Sequence, residues 1–162
     1  MASTGNTELK KGIPILKDAF VVIVKTEWNA HWVNKLEAGC RKILVESGIK
    51  YETITVPGAV EIPFIVKRFH EMKGNIKADA FIVLGAVIQG DTPHFDYVCK
   101  MVTEGVLHLN LLLDVPTVFG VLTVANENQI KERTGGKHGH KGEEAATTAI
   151  KMIDLNRKIN NF

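Results

Sequence analysis

Ala80-Phe81-Ile82-Val83-Leu84-Gly85-Ala86-Val87-Ile88-Gln89-Gly90-Asp91-Thr92-Pro93-His94-Phe95-Asp96-Tyr97-Val98 passes from an apolar run through a polar turn into the start of a helix. The continuous apolar stretch from Ala78 to Ile88 reads as a strand buried on both faces, the kind found in parallel sheets covered by helices. Gly90 suits the positive φ of a tight turn, Thr92 an N-cap, and Pro93 the first helical position, where its missing N–H loses nothing. The free N–H groups and dipole of such a terminus favour an anion, and His94 adds a side chain of the type that exchanges protons near neutral pH. Phosphate chemistry unites these features, although the same junction with a surface histidine also occurs at ordinary helix starts.

A second segment shifts the balance. Arg133-Thr134-Gly135-Gly136-Lys137-His138-Gly139-His140-Lys141-Gly142 gathers cations and four glycines, the composition of a mobile loop able to grip an anion.

Around these two segments the pattern alternates. Residues 1–17 are polar, aperiodic and contain Pro14, so they read as an arm that is loose unless an edge strand or another subunit captures it. Residues 18–162 then read as one α/β domain, since 162 residues suffice for one well-buried core and not for two ordinary ones. Strands are expected from Ala19 to Lys25, Tyr51 to Val56, Ala78 to Ile88 and Pro116 to Leu122. Helices are expected from Asn29 or Ala30 to Ser47, Ala59 to Met72, His94 to Leu113, Asn126 to Glu132 and Glu143 to Ile159. This βαβαβαβ rhythm predicts a three-layer αβα sandwich around a four-stranded parallel sheet with right-handed crossovers. Ligands collect beyond the carboxyl ends of such strands. There the sequence places Trp28-Asn29, Pro57-Gly58-Ala59-Val60-Glu61 and Gln89 to His94, with Phe119 on the fourth strand.

Composition narrows the field. Twenty basic against 18 acidic residues leave a net charge of +2, too little to attract nucleic acid, and no basic stripe interleaved with aromatics is present. No leader pattern and no apolar run of membrane-spanning length appears, so a soluble cytoplasmic protein is expected. Cys40 and Cys99 are separated in sequence, lie on apolar-patterned helices and read as small core hydrophobes. His138 and His140 lack the spacing of a zinc site, so no metal is expected. Gly-x4-Gly-Lys-[Ser/Thr], Gly-x-Gly-x-x-Gly and Gly-x-Ser-x-Gly are all absent, which removes nucleoside triphosphate, dinucleotide and covalent acyl chemistry from the leading readings. Taken singly, Trp28 is more often a rim residue than a stacking platform, and Glu61 more often a first-turn acid than a hydroxyl acceptor.

Trp28-Asn29, Val56-Pro57-Gly58-Ala59-Val60-Glu61-Ile62-Pro63, Gly85 to Val98, Phe119-Gly120-Val121-Leu122-Thr123 and Arg133 to Ala146, in that order, together resemble the 6,7-dimethyl-8-ribityllumazine synthase family. The likeness covers nearly all of the chain after the arm. It implies a flavodoxin-like fold and condensation of 5-amino-6-(D-ribitylamino)uracil with 3,4-dihydroxy-2-butanone 4-phosphate, the penultimate step of riboflavin synthesis, with no cofactor. Carried over by position, the resemblance gives Trp28 to the pyrimidine, Gly58, Ala59 and Glu61 to the ribityl chain, and Val87 and Ile88 to the ring pocket. Asn29, Val60 and Gln89 fall within the same substrate-binding motifs. Gly90, Asp91 and Thr92 meet the phosphate from one side and Arg133 from the other, while His94 moves protons. Lys141 and Glu144 match positions near the phosphate, Glu144 orienting Arg133 or the substrate amine.

The resemblance also implies pentamers, or icosahedral shells of pentamers, with Phe119 and Arg133 donated by an adjacent subunit. The arm would add a strand to a neighbour, and riboflavin synthase would be a partner. Two positions depart from the family pattern. Trp28 replaces a frequent phenylalanine, which favours retention of product or riboflavin. Asp91 puts a carboxylate where a small neutral residue is common, and it would repel phosphate unless it points away or caps the helix. A non-catalytic flavin- or lumazine-binding paralogue and a shell-forming structural protein stand as alternatives.

Overall fold

The computed structural model describes residues 11–72 and 77–162. The greater part of the arm, residues 1–10, lies outside the described residues. Four strands, β1 (Phe20–Thr26), β2 (Lys50–Val56), β3 (Ala80–Ile88) and β4 (Thr117–Val124), form a parallel sheet in the order β2-β1-β3-β4. The helices are α1 (Ala30–Glu46), α2 (Ile62–His70), α3 (His94–Leu112), α4 (Glu127–Lys131) and α5 (Lys141–Ile159). The expected α/β/α sandwich with a flavodoxin-like sheet is the observed architecture.

The central strands show why apolar residues run without alternation. Val21, Ile23, Ile82 and Leu84 enter the core shared with α1 and α5, whereas Val22, Val24, Phe81 and Val83 enter the core shared with α2 and α3. Successive side chains point to opposite faces, so a strand covered on both sides must be apolar at every position. Edge strand β2 adds Tyr51, Ile54 and Val56 to these cores, and Glu37 of α1 adds a polar tie to β2 and to β1. Glu37 accepts from Lys25 Nζ at 2.6 Å and from Thr53 Oγ1 at 3.1 Å.

Close helix packing depends on Gly142 at the start of α5. A Cβ there would stand 1.9 Å from the Leu36 carbonyl oxygen, so only a hydrogen permits this approach to α1.

Several expectations need correction. The second helix opens with a 3-10 turn, Ala59–Glu61, before α2 begins, because Pro63 fits the first α-turn rather than an interior position. The glycine segment expected as a mobile loop is instead a short antiparallel hairpin, β5 (Thr134–Gly136) with β6 (Gly139–His140). Gly90 takes no positive φ, and an added Cβ would meet nothing within 4 Å, so neither conformation nor crowding requires glycine there. The described part of the arm is held by its own chain: Lys11 and Lys17 carbonyls accept from Lys151 Nζ and Arg157, at 3.0 and 2.9 Å.

Candidate active site

Parallel register brings the ends of β1 and β2 level, Thr26 opposite Val56, and their loops leave the sheet together. Two backbone hydrogen bonds continue the pairing into those loops, Glu27 N–H to Val56 O at 2.8 Å and Trp28 N–H to Pro57 O at 3.2 Å. Asn29 then adopts the left-handed conformation, with φ 58°, and its Nδ2 donates to the Ala86 carbonyl on β3 at 2.8 Å. Asparagine is among the few non-glycine residues that tolerate this conformation, because its short side chain can bond locally. The turn leaves the Trp28 ring 74% exposed at the rim, where it can receive a flat ligand.

A cavity of about 570 Å³ opens beside that ring, within the size range of small-molecule sites. It is built by three loops following β1, β2 and β3. Trp28 and Asn29 come from the first, Gly58, Ala59, Val60 and Glu61 from the second, and Gly90, Thr92 and His94 from the third. Val87 and Ile88 supply apolar lining from the end of β3. Glu61 folds back over its own loop, so that a Cβ on Gly58 would come within 2.9 Å of Oε2. Glu61 is exposed and lines the cavity.

At the third loop, Pro93 already has helical geometry, with φ −62°, and α3 starts at His94. Pro93 rather than the expected Thr92 is the N-cap, and no side chain caps the helix; Thr92 Oγ1 accepts the His94 N–H at a long 3.4 Å, which leaves the terminus open to a stronger anionic acceptor. His94 is exposed at the helix start. Gln89 and Asp91 flank the cavity without lining it, and the Gln89 N–H donates to Val124 O at 2.9 Å. Asp91 is exposed, and the side-chain oxygen that reaches the start of α3 is Thr92 Oγ1.

The remaining candidates stand apart in the same chain. Phe119, Lys141 and Glu144 line a separate groove of about 440 Å³ beside edge strand β4, with Asn110, Thr148 and Met152. Phe119 projects from mid-strand and is 40% exposed, not at the carboxyl-end rim with the other loops. Lys141 Nζ contacts both oxygens of Glu144, at 2.8 and 2.9 Å, so lysine rather than Arg133 is the observed partner of that carboxylate. Arg133 sits between α4 and β5 and commits one guanidinium donor to the Gln129 carbonyl at 2.9 Å.

Pro57, placed at the rim by its position after the second strand, lines the cavity, as do Thr26, Ala86, Phe95 and Val98, to which the sequence alone assigned no site role. Thr26 had a legible signal, a polar residue closing an apolar strand. It is buried, and its Oγ1 donates to Trp28 O at 3.1 Å, holding the loop that carries the ring. Phe95 and Val98 follow only from knowing which side of α3 faces the loops.

The thiols stay outside this chemistry. Burial, with the nearby Glu37 charge, pushes Cys40 up to about 12, and partial burial, with Asp96, raises Cys99. Among the described residues no group of three or more histidine, cysteine or acidic side chains is placed to hold a metal ion. Among them, too, no helix is long and apolar enough to cross a membrane.

Residues 18–157 match the family model for 6,7-dimethyl-8-ribityllumazine synthase. A protein of that name from Parabacteroides distasonis is 46% identical over 88% of this chain and 89% of its own length. The Bacteroides fragilis protein of the same name is 47% identical over 85% of this chain and 96% of its own. A third, from Bdellovibrio bacteriovorus, is 44% identical over 86% and 76%.

Proposed function

The chain belongs to the 6,7-dimethyl-8-ribityllumazine synthase family, and from that premise we propose how its own residues divide the work. The enzyme is a transferase that joins 5-amino-6-(D-ribitylamino)uracil to 3,4-dihydroxy-2-butanone 4-phosphate, giving 6,7-dimethyl-8-ribityllumazine, inorganic phosphate and water. One observation carries the assignment of roles: a single cavity joins the Trp28 ring, the Gly58–Glu61 turn and His94.

Trp28 stacks on the pyrimidine, with Asn29 fixing the turn that presents it. Gly58, Ala59 and Val60 let the ribityl chain run close to the backbone, and Glu61 accepts from its hydroxyls. Val87, Ile88 and Gln89 border the ring. Gly90, the Asp91 backbone and Thr92 receive the phosphate at the start of α3.

The 5-amino group attacks the ketone and water leaves to form an imine. A proton is then removed beside it as the phosphate departs with the C–O bonding pair. After rearrangement, the ribitylamino nitrogen closes the ring on the second carbonyl and a further water is lost. No step needs a strong nucleophile; each needs a proton moved and two substrates held in register. His94 moves those protons from the helix start, close to the departing phosphate. Arg133 opposes the phosphate charge with a planar fork of donors.

Phe119, Arg133, Lys141 and Glu144 lie away from the cavity of their own chain, so the complete site forms where this surface of one copy meets the cavity of the next. That reading makes the enzyme a homo-oligomer, a pentamer or an icosahedral shell of pentamers, working in the cytoplasm and handing its product to riboflavin synthase.

Turnover followed by lumazine fluorescence and phosphate release tests the assignment. His94→Ala is expected to retain binding of both substrates while kcat falls about a hundredfold; unchanged kcat removes His94 from proton transfer.

A further inference from the structure

The Glu132–His138 pair closes the hairpin next to Arg133 through both backbone and side chains. The His138 N–H donates to the Glu132 carbonyl at 2.8 Å, and His138 Nε2 stands 3.4 Å from Glu132 Oε2. The imidazole is only 15% exposed on a segment of the chain that is otherwise short and polar. Its Nδ1 is buried without a hydrogen-bond partner, so the pairing with Glu132 is made at the cost of desolvating the opposite ring nitrogen.

That arrangement bears directly on Arg133. The Arg133 N–H donates to Ile130 O at 2.9 Å, its carbonyl accepts from Lys141 N–H at 2.8 Å, and its guanidinium reaches Gln129 O. The first bond belongs to the end of α4 and the second to the first residue of α5, just past the return strand of the hairpin. The turn between them contains Gly135, Gly136 and Gly139, with φ of 109° at Gly135 and 75° at Gly139. Glycines lose the most backbone freedom on ordering, so this turn is a weak support unless something outside it fixes its closure. Glu132 and His138 span the turn at the positions required.

We propose that Glu132 and His138 are positioning residues for Arg133: their pairing holds the glycine hairpin closed and presets the guanidinium for the phosphate of the butanone substrate. The inference rests on the reading of Arg133 as a phosphate ligand. Neither residue touches substrate. The ordering that they supply in advance is ordering that phosphate binding would otherwise have to bring about.

Steady-state kinetics with both substrates varied, and inorganic phosphate as a competitive inhibitor, test this on the assembled protein. His138→Ala is expected to raise KM for the butanone phosphate and Ki for inorganic phosphate about three- to fivefold, the range of a partly exposed pair. KM for the uracil substrate and kcat should stay within about twofold, which separates positioning from general loosening. Glu132→Gln should act similarly and add little to His138→Ala, because the two work as a unit. His138→Gln, which keeps an N–H donor and is the variant less prone to misfold, should restore most of the affinity. Equal changes in both KM values, or unchanged phosphate inhibition in His138→Ala and Glu132→Gln, overturn the proposal. Arg133→Ala in the same assay separates the two levels. If it leaves phosphate inhibition unchanged, the reading of Arg133 itself fails; if it weakens inhibition while the pair variants do not, only the positioning role fails.

Discussion

Asn29 shows how one residue sets the geometry of a half-site. Its φ of 58° turns the chain, and its side chain crosses to the Ala86 carbonyl. Asn29→Gly keeps the turn and loses the tie, whereas Asn29→Ala loses the tie and adds the strain of a left-handed alanine. The alanine variant should therefore be less stable than the glycine one by about 1 kcal/mol in urea titrations. Both should raise KM for the uracil substrate, because the Trp28 ring no longer has a fixed seat. Cys40 gives a second prediction at this scale. With its thiol pushed up to about 12, it carries almost no thiolate at neutral pH, and iodoacetamide should leave it unmodified in the folded protein while labelling it in urea. The sign follows from the direction of the shift. Burial favours the protonated form in the folded state, so the stability due to this group is full below the ordinary thiol value of 9.0 and declines as pH rises towards 12.

Among the elements, α1 and α5 meet backbone to backbone at Gly142, and α3 begins in open space after Gly90. Gly142→Ala should lower stability by about 2 kcal/mol or more, since the clash at Leu36 is with main chain and can be relieved only by moving a helix. Gly90→Ala should fold with stability within about 0.5 kcal/mol of the parent, and differential scanning calorimetry distinguishes the two. These glycines also mark the limit of sequence reading. The central strands and the long helices were legible because burial on both faces, or on one stripe, leaves a record at Val21–Val24, Phe81–Leu84 and along α5, and edge strand β2 through its alternation. The hairpin at Thr134–His140 was not, because glycine permits many shapes and its pairing partners are fixed by the surrounding helices. Within the site, Trp28, Glu61 and His94 were legible as loop residues at strand ends, while the inward faces of Phe95 and Val98 depended on how α3 is rotated.

Over the whole molecule, the cavity and the groove with Phe119 occupy different surfaces. Contact between unlike patches is heterologous, and it continues from copy to copy until the rotation closes a ring. His94→Ala protein, slow in turnover, and Arg133→Ala protein, weak in binding the phosphate substrate, should therefore recover activity when dissociated and reassembled together. In an equal random mixture about a quarter of the sites pair two intact surfaces. Recovery is read as lumazine formation against each variant reassembled alone, and its absence would place both residues in one subunit's site. The hydrogen bonds from Glu27 and Trp28 to Val56 and Pro57 add a constraint of another kind. Under the proposed roles of Trp28 and the Gly58–Glu61 turn, they join the seat for the heterocycle to the track for the polyol, so the distance between a ligand's rings and its tail would be gauged against a fixed span. A homologue one carbon longer or shorter would find no give on that side, and discrimination by chain length would persist even where the opposing surface is free to adjust.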